Sequence, residues 1–143
     1  MAGFHVVNLK ATLLDGSYHP VDSSEMAFKM AATLAFRKGM EQAQPILLEP
    51  VMHLEIVIPD EFMGDIMGDM NKRRGRILGM EPDERGYQKV IAEAPQAEIL
   101  TYATDLRSMT QAKGFFKMNF ERYDEVPMQM AVKIIEAAKR EDE

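Results

Sequence analysis

The order of periodic segments between residues 51 and 126 constrains the fold of this chain more than any other feature. Residues 51–58 alternate in polarity, with Met52, Leu54, Ile56 and Ile58 on one face, as in a half-buried strand. The segments that follow are a helix from Pro59 to about Arg74, strands near 76–81 and 87–94, a helix at about 96–111 and a strand at 115–123. The order β-α-β-β-α-β predicts a ferredoxin-like split βαβ sandwich.

The apolar positions of these segments predict which side chains face the core. The inward set is Phe62, Ile66, Met67 and Met70 from the first helix, Ile99, Leu100, Ala103, Leu106 and Thr110 from the second, and Phe116, Met118 and Phe120 from the last strand, with Phe115 and Tyr123 opposite. Gly64 and Gly68 lie four residues apart on the first helix. Because each glycine costs a helix about 1 kcal/mol relative to alanine, we expect a close packing contact there. Gly75 is the predicted C-cap.

Residues 1–48 predict only part of a domain. Residues 5–14 alternate as in a strand, and a long helix follows at about 23–43, with Asp22 as its N-cap and Glu25 completing a capping-box pair. The polar side of this helix is a narrow stripe, so most of its circumference must be covered. One strand cannot cover it. We therefore expect the remaining strands elsewhere in the protein or in a second copy.

The chain ends in a third predicted helix within residues 127–143, with Pro127 at the first helical position. An apolar stripe on this helix requires a docking surface, which we expect the first segment to provide. The predicted fold class is therefore α+β: a partial α+β domain at 1–48, a ferredoxin-like unit at 51–126 and a C-terminal helix.

The composition excludes several classes of protein. The chain has 143 residues, 46% of them hydrophobic, no cysteine and a formal net charge of −6. This hydrophobic content argues against disorder, and the lack of cysteine excludes disulfides, thiol nucleophiles and thiolate metal sites. The sequence has neither a secretory leader nor an apolar run of membrane-spanning length, so we expect a cytoplasmic protein without membrane contact. The negative total argues against nucleic-acid binding through whole-molecule charge.

The sequence contains no recognisable catalytic motif. The phosphate-binding loop GxxxxGK[ST] is absent, and His5, His19 and His53 are too isolated to form a zinc site. An acylphosphatase-like hydrolase of the same topology would need an arginine and an asparagine at the first strand-to-helix loop. That loop is instead acidic, with Asp60 and Glu61. The chain itself is therefore expected to lack a catalytic site.

Two segments are candidates for contact with an anionic partner. Residues 72–76 carry four cations in five positions at a helix end. The helix dipole accounts for one or two of them. The others form either a solvated surface or a phosphate contact, for which arginine is well suited. His19, beside Tyr18 and Pro20, lies either in a plain surface loop or at a tip that stacks on bases or meets phosphates. The residues alone leave both alternatives open in each segment.

Four longer runs resemble the C-terminal part of bacterial elongation factor G. These runs are Asp15 to Phe28, Leu47 to Pro50, Asn71 to Arg76 and Tyr102 to Gln111. They occur in order, are specific and extend over nearly the whole chain. The resemblance implies that residues 1–48 are the end of domain IV and that 51–126 are domain V. It further implies that the final helix packs back on domain IV, and that a GTPase domain and other domains of the same protein lie upstream.

In this family the complete factor is a GTPase that drives transfer RNA and messenger RNA through the ribosome. The resemblance therefore implies GTP and magnesium as cofactors of the parent protein and none in this segment, whose own enzymatic status stays uncertain. Domain IV reaches the decoding centre, and the matching tip-loop residues here are Ser17, Tyr18, His19 and Asp22. Domain V lies near large-subunit ribosomal RNA at the stalk base. The matching contact residues are Lys72, Arg73, Arg74 and Arg76, with Arg107 and Gln111 as weaker candidates.

The chain also departs from the usual pattern of the family. Pro20 replaces an aspartate at the tip, Thr101 replaces a glycine, and the run 111–114 reads Gln-Ala-Lys-Gly instead of Gln-Gly-Arg-Gly. These departures keep open an elongation factor G-like paralogue with a recycling or stress role. An independent ferredoxin-like regulatory module is a further alternative. The charge of −6 does not exclude RNA contact through small basic patches.

Overall fold

The structure, a computed structural model, describes residues 3–141. In chain order its helices and strands are α1 (Glu25–Gln42), β1 (Leu48–Pro59), α2 (Met63–Lys72), β2 (Arg76–Pro82), β3 (Tyr87–Pro95), α3 (Tyr102–Met109), β4 (Phe115–Glu125) and α4 (Met128–Glu141). The chain divides into two compact units. Leu48–Val126 form the sheet unit, and the described residues on either side of it form the flanking unit.

The sheet unit has the predicted ferredoxin-like topology. Its four strands lie in the order β2-β3-β1-β4, and every neighbouring pair is antiparallel. The helices α2 and α3 connect β1 to β2 and β3 to β4, and a short 3₁₀ turn precedes each helix. The α+β fold class predicted from the periodic segments is confirmed.

The core of the sheet unit lies between the two helices and one face of the sheet. Its fully buried side chains include Leu54, Ile56, Ile58, Ile66, Met70, Val90, Tyr102 and Leu106. The inward prediction is wrong for Leu100, which is 77% exposed, and for the exposed Ala103. The chain makes a 3₁₀ turn at Gln96–Glu98 before α3 begins. This break shifts the register of the helix and buries Tyr102 instead.

The aromatic residues of β4 differ from the prediction for two reasons. Phe116 packs against the core, but Met118 and Phe120 are about half exposed, because β4 is an edge strand at the limit of the sheet. A bulge opposite Val51 and Met52 changes the alternation of β4. Tyr123 therefore lies on the Phe120 side of the strand, with the two ring centroids 5.1 Å apart, rather than on the opposite face.

The close glycine contact occurs at a different place from the predicted one. A Cβ added at Gly64 or Gly68 would meet nothing within 4 Å, so the predicted packing contact on α2 is wrong. At Gly114, by contrast, a Cβ would lie 2.8 Å from Thr110 Oγ1 and 3.0 Å from Ile58 Cγ2. The backbone before β4 therefore approaches the core where only glycine fits.

The flanking unit contains regular helices and little burial. Residues 5–14 do not form the predicted strand, because no described strand hydrogen-bonds to them and an isolated strand leaves its backbone groups unpaired. The helix α1 has no buried residue. Residues 142–143 of the predicted C-terminal helix lie outside the described residues. The packing of that helix against the first segment stays a prediction.

Candidate nucleic-acid interface

The predicted tip loop is an exposed segment closed by local hydrogen bonds. Ser17, Tyr18 and His19 are all exposed. The carbonyl oxygen of His19 accepts N–H bonds from Asp22 (3.2 Å) and Ser23 (2.9 Å). The N–H of His19 in turn donates to Ser23 Oγ at 2.8 Å. The loop therefore presents two aromatic side chains from a turn that its own backbone defines.

The N-cap of α1 is Ser24, not the predicted Asp22. Ser24 has extended backbone angles, and its Oγ accepts the N–H of Ala27 at 3.1 Å, which satisfies one of the free donors of the first turn. Glu25 forms an ion pair with Lys29 at 2.6 Å instead of completing a capping box. Ser24 thus has the N-cap role predicted for Asp22, and the neighbouring Ser23 closes the loop through the N–H of His19.

The basic segment, residues 72–76, follows α2 in a helix-terminating turn. Gly75 donates its N–H to the oxygen of Met70 at 2.8 Å, and Arg74 donates to that of Asn71 at 3.3 Å, the two bonds of a Schellman motif. The left-handed residue of this motif is Arg74, with φ +56°, and not the predicted Gly75. That conformation costs a non-glycine residue roughly 1–2 kcal/mol. Gly75 is needed because a Cβ there would lie 2.9 Å from the Met70 oxygen.

Arg73 is committed to contacts within the sheet unit. Its guanidinium donates to Asp69 (2.7 Å), to Asp105 (2.7 Å) and to the backbone oxygen of Glu98 (2.8 Å), and it lies 5.2 Å from the Tyr102 ring centroid. Burial lowers the pKa of Arg73, but hydrogen bonds to Asp69 and Asp105 outweigh it and raise the pKa above its usual value. Only 15% of the side chain is exposed. Arg73 therefore joins α2 to α3.

Arg74 is held by two glutamates. Its two terminal nitrogens donate to the two oxygens of Glu49 at 2.8 and 2.7 Å, and its Nε donates to Glu98 at 3.2 Å. The hydrogen bonds to Glu49 are the main reason that the pKa of Arg74 is raised. The side chains of Arg74 and Glu49 are 27% and 14% exposed. Arg74 therefore ties the turn after α2 to the start of β1.

The other predicted contact residues are open to solvent. Lys72, Arg107 and Gln111 are exposed, and among the described residues neither Lys72 nor Arg107 forms an ion pair. Arg76 is 70% exposed and donates one hydrogen bond, to Glu93 at 2.9 Å. Gln111 has φ +52° in the turn after α3. The structure therefore divides the basic segment into clamp arginines, Arg73 and Arg74, and outward cations, Lys72 and Arg76.

The sheet face opposite the helices holds a charged group that sequence reasoning missed. Glu93 in β3 is 7% exposed and accepts bonds from Arg76 in β2 and from both terminal nitrogens of Arg122 in β4. Hydrogen bonding to Arg122 is the main reason that the pKa of Glu93 is lowered. A single acidic residue in the otherwise apolar run 90–95 was the available signal. Its partners could be found only from the strand order.

The exposed side chains of the basic segment can bind an anion. Lys72, and the nitrogens of Arg76 that do not bind Glu93, can meet phosphate oxygens, whereas the clamp arginines would first have to leave carboxylates. Within residues 3–141, no three His, Asp or Glu side chains are grouped to hold a metal ion. In the same range no helix has the length and apolarity needed to cross a membrane.

Both units of the chain match consecutive parts of one family of translation factors. Residues 1–44 match the family model described as elongation factor G, domain IV, and residues 46–134 match the elongation factor G C-terminus. The chain belongs to the elongation factor G family. The resemblance inferred from the four sequence runs is confirmed.

The chain is similar to a curated protein and to a solved structure over most of its length. It is 50% identical over 141 residues to the elongation factor G-like protein of Thermotoga maritima, across 99% of this chain and 21% of that protein. It is 45% identical to a Thermus thermophilus protein of known crystal structure, with a TM-score of 0.75, across 88% of this chain and 19% of that one. The chain thus spans about a fifth of the length of these relatives.

Proposed function

We propose that this chain is the C-terminal, ribosome-contacting segment of a cytoplasmic translational GTPase that promotes the movement of transfer RNA and messenger RNA during protein synthesis. The observation that carries the proposal is the ordered match of both units to consecutive parts of the elongation factor G family. On this proposal GTP and magnesium bind upstream domains of the same protein. The chain itself contributes contacts rather than a catalytic group.

The outward cations Lys72 and Arg76 are the proposed contacts to large-subunit ribosomal RNA near the stalk base. This assignment is supported by the exposure of the two side chains, because neither is enclosed by carboxylates as those of Arg73 and Arg74 are. Arg107 and Gln111, exposed at the end of α3, are secondary candidates. We withdraw Arg73 and Arg74 as direct contacts, because a phosphate would have to displace their present partners.

The salt dependence of ribosome binding tests this assignment. In the full-length factor, replacing both Lys72 and Arg76 by alanine is expected to lower affinity and to reduce the slope of log K against log salt by about 1–2, since each lost phosphate contact removes roughly one unit. The control variant replaces Arg85 and Lys133, which are also exposed, and has the same loss of charge. An unchanged slope in the Lys72 and Arg76 variant would remove both residues from the interface.

The tip loop is proposed to act at the decoding centre, where Ser17, Tyr18 and His19 contact transfer RNA or messenger RNA. Support comes from the exposure of all three residues on a turn closed by Ser23. Asp22 supports the turn through its N–H bond to His19. Single-round translocation by the full-length factor with His19→Ala should be slower than wild type. An unaltered rate would exclude His19 from the mechanism.

A second candidate is a paralogue of the factor with a recycling or stress role. One relative is named an elongation factor G-like protein, and Ala112 departs from the glycine usual for the family. Parallel assays of translocation and of ribosomal subunit splitting separate the two candidates. The first candidate predicts single-round translocation, and the second predicts splitting without it. An independent regulatory module has no support, because both units match one family.

A further inference from the structure

An unusual residue occupies the left-handed position in the turn after α2. Glycine is the common residue there because it has no Cβ, yet this chain has Arg74 at φ +56°. A strained backbone conformation persists only where the surrounding contacts determine it. At Arg74 those contacts are the backbone bonds of the Schellman turn together with the three hydrogen bonds of its guanidinium.

The principal partner of Arg74 comes from a distant part of the chain. Glu49, in the second position of β1, lies 25 residues before Arg74 and binds it through both carboxylate oxygens. A two-bond pair of this kind fixes orientation as well as distance. Glu98, in the turn before α3, adds a third bond at 3.2 Å. The turn after α2 is thus held from β1 and from the α3 side together.

The outward cations Lys72 and Arg76 lie on either side of Arg74 in the chain. Lys72 is the last residue of α2, two positions before Arg74, and Arg76 is the first residue of β2, two positions after it. The backbone direction at both residues depends on the Schellman turn between them, which includes the bond from Gly75 to the Met70 oxygen. A change in the turn would therefore redirect both side chains.

We propose that Glu49 and Arg74 are positioning residues, which hold the turn so that Lys72 and Arg76 meet ribosomal RNA together. This inference rests on the proposed function. It assigns to a carboxylate, Glu49, a favourable role in binding a polyanion. It also gives Arg74 a role without phosphate contact, because its nitrogens already bind Glu49 and Glu98.

The variant Glu49→Gln in the full-length factor separates positioning from direct contact. If Arg74 positions the turn, loss of the carboxylate loosens it, and affinity for purified ribosomes falls about threefold to tenfold, as for the loss of one ordinary hydrogen bond. If Arg74 instead contacts RNA, the same change releases it from a competing anion and affinity rises. The matched control Glu84→Gln, at an exposed turn position, removes the same charge and should leave affinity equal or slightly higher.

Two further variants complete the experiment. Arg74→Gly permits the left-handed angle but removes the bonds that anchor the turn to Glu49 and Glu98. The orientation of the turn is then no longer fixed and ribosome binding should weaken, whereas equal or tighter binding overturns the positioning role. Amide hydrogen exchange of Gly75 in the free Glu49→Gln factor should be faster than in wild type. Unchanged exchange would also overturn the proposal. Failure of the proposed RNA contacts is distinct: it appears as an unchanged salt slope when Lys72 and Arg76 are both replaced. Failure of the proposed function appears as a wild-type full-length factor that does not support single-round translocation.

Discussion

The helices α1 and α2 both carry apolar side chains that need a covering surface, but they lie in very different surroundings. In the sheet unit α2 buries Ile66 and Met70 completely against β1 and β3 side chains. In the flanking unit α1 buries no residue, and Met26, Phe28, Met30, Leu34 and Phe36 are all exposed. A capped start and helical spacing therefore do not by themselves bury the apolar side chains of a helix. Burial requires a second surface, which only the sheet unit supplies among the described residues.

The largest difference in the free energy of unfolding is expected when a leucine of each unit is replaced by alanine. Leu54→Ala, at a site with no exposure, should lower the free energy of unfolding by about 2–5 kcal/mol, because it leaves a cavity. Leu34→Ala, at a site 62% exposed on α1, should change it by less than about 0.5 kcal/mol. Urea denaturation followed by circular dichroism measures both. Equal losses of unfolding free energy in the two variants would show that α1 is packed in solution, and would contradict the difference in burial between α1 and α2.

Adding one methyl group at a glycine should also have opposite effects on stability in the two units. Gly114→Ala should destabilise the sheet unit by about 1–3 kcal/mol, because its Cβ would lie 2.8 Å from Thr110 Oγ1. Gly39→Ala on α1 has open space and should raise helix stability by about 1 kcal/mol. Thermal unfolding and far-ultraviolet helicity test the pair. A stabilising Gly114→Ala would mean that the approach to Ile58 and Thr110 is looser than described.

Ion pairs should differ between the units in their dependence on pH. The folded pKa of Glu93 is lowered, chiefly by hydrogen bonding to Arg122. The stabilising effect of Glu93 is therefore present above the pKa that this carboxyl has in the unfolded chain and is lost as pH falls through the folded value. Glu93→Gln should cost about 1–2 kcal/mol at pH 7, since its arginine partners are partly exposed. The deficit should shrink below about pH 4.

The matched exposed pair in the flanking unit is Glu25 with Lys29, whose side chains are 83% and 69% exposed. Glu25→Gln should change stability by less than about 0.5 kcal/mol at any pH. Denaturation curves for both variants between pH 3 and pH 8, roughly spanning the carboxylate range, make the comparison. A deficit for Glu93→Gln that grew as the pH fell would contradict the charge assignment.

The smallest expected change in stability comes from replacing left-handed residues by glycine, and it should be the same in both units. Ala112 in the sheet unit and Gln44 in the flanking unit both have left-handed angles, φ +64° and +51°. Replacement of either by glycine should stabilise the chain by about 0.5 kcal/mol, since relief of strain exceeds the entropy that glycine adds to the unfolded state. Calorimetry would detect the gain. A gain in only one unit would show that the strain depends on packing.

Patterns that repeat along one segment were predictable from the sequence. The alternation of Leu54, Ile56 and Ile58 identified β1 and its buried face, and the order of six segments was sufficient for the topology. Features that depend on a neighbouring strand were not. The bulge that turns Tyr123 toward Phe120 arises from the register between β4 and β1. Residues 5–14 have the alternation of a strand, but no strand among residues 3–141 pairs with them.

The sequence located the basic segment, but it did not show which of its cations bind carboxylates and which face solvent. Four cations at a helix end left a phosphate contact and a solvated surface as alternatives, and the spacing of Asp69 and Arg73 is that of an ordinary helical ion pair. The pairing of Arg74 with Glu49 joins residues 25 positions apart, so only the folded sheet brings them together. The same holds for Arg73 and Asp105, 32 positions apart.

A cryo-electron microscopy structure of the full-length factor on the ribosome tests the central claim most directly. The account predicts ribosomal RNA phosphates within hydrogen-bonding distance of Lys72 and Arg76, with Arg74 still bound to Glu49 and Arg73 to Asp69 and Asp105. A structure in which Arg73 or Arg74 leaves its carboxylates to bind phosphate would contradict it. So would one in which the basic segment faces no RNA.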